Sequence, residues 1–231
     1  MEKFLAATST FIEKATDIRY FLLFASFLIV TDTVLCKTIN TPLLQFTYSD
    51  VTNKLHLGAV LVYMSFFLFY TSVLIPFIAY VIGLILIYLP SWVTNIFPDI
   101  NEDKRKNPNR YSDQISIDIL RNEAVAENNS VKFNLYIKRE NENNDEYQLY
   151  KLSFTFLFTL ILSFFINFNN QSSILNTLFN YAFNLGDFMS GIILIITTIF
   201  IIYCIGLGIG GYCLKRYTDS YIYIGNKNIK P

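Results

Sequence analysis

The chain is poor in the side chains that most enzymes and metal sites require. It holds one histidine, His56, and three cysteines, Cys36, Cys204 and Cys213, far apart and in or near apolar stretches. There is no CxxC pair or Cys/His cluster, so neither a zinc site nor a disulfide framework is expected. GxSxG, HExxH and P-loop patterns are also missing, and His56 alone cannot serve a triad across a membrane. No catalytic, cofactor-binding or metal-ligating residue is therefore assigned, and the chain is not expected to be an enzyme. Net charge is lacking too: 18 basic residues stand against 18 acidic ones. That balance gives no reason to expect direct nucleic-acid binding.

What the chain has in abundance is apolar and aromatic surface, with 22 Phe and 16 Tyr but only 16% charged residues. From Leu57 to Leu89 no charged side chain occurs. At about 1.5 Å per residue this stretch reaches about 50 Å as a helix, against about 30 Å of bilayer hydrocarbon. An α-helical integral membrane protein with four transmembrane helices is expected, spanning about 18–39, 57–89, 152–168 and 188–214. A retained amphipathic segment over 1–17 precedes the first span, and 174–183 has the spacing of an amphipathic helix lying in the interface. Pro76 predicts a kink near Phe69–Pro76, because proline removes a helical hydrogen bond and crowds the preceding turn. Tyr88 and Trp92 suit an aromatic belt.

Asp32 lies within the first span. A carboxylate at the bilayer centre costs a few kcal/mol on insertion scales. It reads as a proton or ion site, as a polar lock between helices, or as a headgroup-level residue if the span ends early.

The segment 99–151 is polar. Gln114–Arg121, Val131–Arg139 and Glu146–Ser153 alternate as strands do, with Val131, Phe133, Leu135 and Ile137 sharing one face. The polar ENENND run reads as a turn, so a small cytoplasmic β-meander is expected between helices 2 and 3. The SYIYI sequence of the tail, 215–231, suits a short edge strand upon it. Orientation follows from the basic residues. With four spans, all but Lys37 and Lys54 fall on one side, and the positive-inside bias makes that side cytoplasmic, with both termini inside.

The end of the fourth span carries Gly206, Gly208, Gly210 and Gly211. Gly206 and Gly210 form a GxxxG pair, a spacing that lets helices approach closely in lipid, and this face is expected to mediate self-association. Lys104, Arg105, Lys106 and Arg110 follow the second span and suit anionic lipid headgroups. A small four-span chain with a charged insert between spans two and three resembles the membrane subunit, or A component, of the Kiwa bacterial anti-phage system. Its Asn-, Ile-, Lys- and Phe-rich composition is also similar to that of mobile defence genes. The resemblance is one of architecture over the whole chain, with no short motif. It implies an oligomeric inner-membrane sensor that holds a cytoplasmic, DNA-binding protein partner. The residues leave two other classes open: an oligomeric channel or transporter using Asp32, or an immunity or exclusion protein acting through 169–187.

Overall fold

The computed structural model describes residues 17–47, 49–50, 56–90, 94–106, 114–168 and 173–223. Residues 1–16 of the amphipathic segment expected over 1–17, Trp92 and Arg110 lie outside the described residues. Four helices are long and apolar enough to cross a membrane: Ile18–Thr38, Leu57–Ile87, Ser130–Ile166 and Phe188–Cys213.

The first, α1 (Ile18–Thr38), starts at Asp17, whose Oδ1 accepts from the Arg19 amide at 2.9 Å. The Arg19 guanidinium also grips that carboxyl and holds it below the usual carboxylate range. A further Arg19 nitrogen reaches Asp145 and ties the start of α1 to the third long helix.

Helix α2 (Leu57–Ile87) is continuous, which excludes a hairpin at Pro76. Over Tyr70–Leu74, one turn before Pro76, the helix widens to π-helical form, and the Ile75 amide donates to the Tyr70 carbonyl. The strain that proline places on the preceding turn is taken up there as a change of hydrogen-bond register.

The largest correction concerns the insert. A short helix, α3 (Glu102–Lys106), and a three-residue strand, β1 (Gln114–Ser116), are followed by α4 (Ile117–Ala126) and then α5 (Ser130–Ile166). The meander is not formed: Val131–Arg139 and Glu146–Ser153 belong to the single 37-residue helix α5. Neither glycine nor proline occurs between Pro108 and Gly186, so nothing in ENENND breaks a helix. The start of α5 is well defined. Asn128 takes a left-handed φ of 48°, and the Asn129 side chain accepts from the Val131 and Lys132 amides at 3.0 and 3.2 Å. The third span is therefore the distal part of a helix about 55 Å long, not a separate 17-residue segment. The tail does contribute a strand, β2 (Tyr221–Tyr223), antiparallel to β1 with Ile115 opposite Ile222.

Beyond the third span come α6 (Ile174–Asn184), a helix where amphipathic spacing predicts one, and α7 (Asp187–Ile205). Between them Gly186 adopts a φ of 91°, which favours glycine over any residue with a Cβ. A π-helical stretch, Gly206–Cys213, continues α7.

Helix α5 is the centre of the bundle: 44% of its apolar window is buried, against 11% for that of the fourth span. Leu22 and Ile29 of α1 pack against Phe156, Leu157 and Cys204. On another side, Phe67, Tyr70, Ile75 and Ala79 of α2 meet Tyr150, Phe154 and Tyr212. The polar part of α5, with α3, α4, β1 and β2, forms a head at one end of the bundle. Tail and insert are joined there by Lys104, whose Nζ donates to both Asp219 oxygens at 2.9 and 2.8 Å. The Asn101 amide also donates to the Thr218 carbonyl.

Candidate functional site

Along the buried face of α5, Thr155, Thr159, Ser163 and Asn167 recur every fourth residue and all are buried. That spacing makes one stripe along a helix. It binds the neighbouring helices by hydrogen bonds across the bundle. Thr159 Oγ1 donates to the Thr155 carbonyl and accepts from the Tyr70 hydroxyl at 2.8 Å. Ser163 and Thr33 hydroxyls pair at 2.8 Å, and the Asn167 amide donates to Thr33 at 3.3 Å. Sequence reasoning missed this stripe, although a four-residue period of polar residues within an apolar span was the signal that could have found it. Interhelical bonds of this kind in membranes average about 0.6 kcal/mol. Tyr70→Phe and Thr159→Val should each destabilise the bundle by about 1 kcal/mol, with a coupling of about 0.6 kcal/mol in a double-mutant cycle. Reversible unfolding in mixed micelles measures it.

At the end of the bundle away from the head, Asp32 is 1% exposed. The Leu43 amide donates to its Oδ1 at 2.9 Å, and the Ile174 amide donates to Oδ2 at 2.8 Å. One carboxylate therefore clasps the loop after α1 and the first turn of α6. The N-terminus of α6 also favours a negative charge at that position. Both oxygens are committed to backbone donors, the geometry of a polar lock.

The glycines of the fourth span do not share one environment. A Cβ on Gly208 would lie 3.0 Å from the Phe154 Cα, and one on Gly211 would lie 2.6 Å from the Tyr150 ring. At Gly210 the Tyr217 ring of the tail comes within 2.6 Å of the same position. At Gly206 nothing lies within 4 Å. Gly208, Gly210 and Gly211 thus receive parts of their own chain, and Gly206 alone faces outward. Asp32 and these glycines occupy opposite ends of the bundle.

The structure does bring Pro76 and the end of the fourth span together. They line a groove of about 360 Å³ with Gly83, Leu84, Tyr147, Tyr212 and Lys215. At its floor α2 and the fourth span lie close together, where a Cβ on Gly83 would meet the Cys213 carbonyl oxygen at 2.8 Å. Sequence reasoning missed Gly83, Tyr147 and Lys215, because no local pattern links three separate helices.

In the basic cluster, Lys104 is paired with Asp219, Arg105 with Asp99 and Lys106 with Glu102. Carboxylates thus already occupy three of the four cations expected to meet lipid headgroups, the fourth, Arg110, lying outside the described residues. Among the described residues no group of His, Cys, Asp and Glu is placed to hold a metal ion. No protein-family model, curated protein or solved structure matches this chain.

Proposed function

We propose that the chain is a non-enzymatic inner-membrane scaffold or sensor that presents its head to a soluble cytoplasmic protein, with both termini inside. The observation carrying this reading is apolar surface in the wrong place for lipid. Ile119 and Val125 of α4 are exposed, as are Val131, Phe133, Leu135 and Ile137 in the first turns of α5. From Leu135 to Leu152, where the apolar part of α5 begins, the helix rises about 25 Å. A bilayer normal to the helix does not reach side chains at that distance. On α5 Val131 and Leu135 share one face and Phe133 and Ile137 lie near the opposite one, so the head offers two short apolar faces, which we read as protein contacts. The asymmetry of basic residues supports a cytoplasmic head. The architectural resemblance to the Kiwa membrane subunit suggests anti-phage defence and a DNA-binding companion.

A photo-crosslinking amino acid at Phe133 or Leu135 tests the reading in cells. One soluble protein should be captured from the head, while the same probe at Phe165, at the other end of α5, should not capture it. Leu135→Glu should lower its recovery about tenfold with the membrane level of the chain unchanged, the loss expected of an interface anchor. Capture of lipid alone, or recovery indifferent to Leu135→Glu, would remove the head as the docking surface.

Self-association belongs to the same proposal, through the outward face of the fourth span that includes Gly206. A channel or transporter using Asp32 is less well supported, because both carboxylate oxygens already accept backbone amides.

A further inference from the structure

The groove between the second and fourth spans ends at an unusual lysine. Lys215 follows the last turn of the fourth span in a left-handed conformation, with φ of 53°. The turn is closed by the Arg216 amide donating to the Gly210 carbonyl at 3.0 Å, and by the Leu214 amide donating to Ile209. A helix ending this way ordinarily places glycine at that position, because a Cβ strains the backbone. A strained residue that persists is a reason to ask what its side chain does.

The surroundings narrow the answer. Lys215 is exposed and has no carboxylate partner among the described residues. Its neighbour Arg216 is turned inward and donates to the Thr94 and Phe97 carbonyls. Asp219 is held by Lys104 and Arg139. The uncommitted charge thus stands two residues beyond the apolar end of the span, at headgroup level. Below it the groove wall on α2 runs from Pro76 through Ala79, Gly83 and Leu84 to Ile87. That is about 16 Å of helix, close to half of the about 30 Å hydrocarbon core, or one leaflet.

We propose that this groove holds one acyl chain of an anionic glycerophospholipid, with the lipid phosphate on Lys215 Nζ. The charge selects the headgroup, and the apolar wall accepts the chain of the same molecule. A free anion would answer the lysine and leave the apolar wall bare.

The test uses the full chain in bilayers, with Trp92→Phe removing the single native tryptophan and Leu84→Trp placing a reporter in the groove. Brominated phosphatidylglycerol should quench this tryptophan with about fivefold preference over brominated phosphatidylcholine, the selectivity expected of one surface lysine. Lys215→Gly should bring the preference to about one. Because glycine suits the left-handed position, that variant should leave the buried Cys204 thiol as protected from alkylation as before. A reporter at Phe165→Trp, at the far end of α5, should show no preference in either background. Native mass spectrometry of the chain without tryptophan changes should retain phosphatidylglycerol, and lose it in Lys215→Gly and Lys215→Gln. Equal quenching by both lipids, a preference that survives Lys215→Gly, or an oligomer excluding all lipid from the groove would overturn the proposal.

Discussion

Gly208→Leu will unseat the fourth span from α5. The added Cβ alone would lie 3.0 Å from the Phe154 Cα and 3.1 Å from its nitrogen, and backbone atoms of a central helix cannot turn aside. Overpacking of this kind costs about 1–3 kcal/mol and more where the neighbour is rigid, so about 3 kcal/mol or above is expected. Gly210→Leu meets the far end of the Tyr217 side chain on the tail, which can swing away, and should cost less. Gly211→Leu meets Cγ of the buried Tyr150 at 2.6 Å, an atom that ring rotation does not move, and should cost about as much as Gly208→Leu. Gly206→Leu meets nothing within 4 Å and should leave the fold intact. Alkylation of Cys204, which is fully buried, reports the difference: its thiol should react faster in Gly208→Leu and Gly211→Leu and at the native rate in Gly206→Leu. The series also separates folding from self-association. If the outward face of the fourth span joins copies, Gly206→Leu will shrink the crosslinked ladder in native membranes while Cys204 stays protected. An unchanged ladder would take that face out of the interface.

Removing the Asp32 carboxylate should have an effect of similar size at the other end of the molecule. Two backbone amides, from separate loops, lose a charged acceptor in a buried place. Hydrogen bonds to charged groups contribute about 1.5–3 kcal/mol each, and a buried unsatisfied donor adds a penalty. Asp32→Ala should therefore cost about 3–5 kcal/mol. Asp32→Asn keeps one acceptor but turns an NH2 group toward the other amide, and should cost roughly half as much. Hydrogen exchange gives the local signature. The Leu43 and Ile174 amides should lose protection together, ahead of amides in the centre of α5. If only one of them responds, the carboxylate is not a clasp between the loops. Ion flux through liposomes that disappears in Asp32→Asn without this loss of protection would instead support the channel reading.

These outcomes depend on features that differ in how far the sequence foretold them. The four helices long and apolar enough to cross a membrane were legible because transfer into lipid is close to a sum over residues in one continuous stretch. No neighbour is needed to make Leu57–Ile87 long and apolar enough. The tail strand was legible for a related reason, since alternation in SYIYI is local, although its partner β1 covers only the first three residues of the strand expected over Gln114–Arg121, the rest of which is helical. Helix α5 was misread. The alternation from Val131 to Ile137 is real, but the helix overrides it where no glycine or proline interrupts and Asn129 caps the start. The absence of a breaker was the stronger signal.

Which way each side chain faces was decided by tertiary structure alone. The GxxxG spacing places Gly206 and Gly210 near one helix face, but it does not say what covers that face: a Cβ at Gly206 would meet nothing within 4 Å. Gly210 receives Tyr217 of the returning tail, a contact that no pattern within the span encodes. Asp32 was identified as a costly carboxylate, yet its partners come from loops distant in sequence. Sequence therefore determined what must enter the membrane, through a local and additive free energy. Only the packing of separate helices, set by steric fit and buried hydrogen bonds, decided which residues meet.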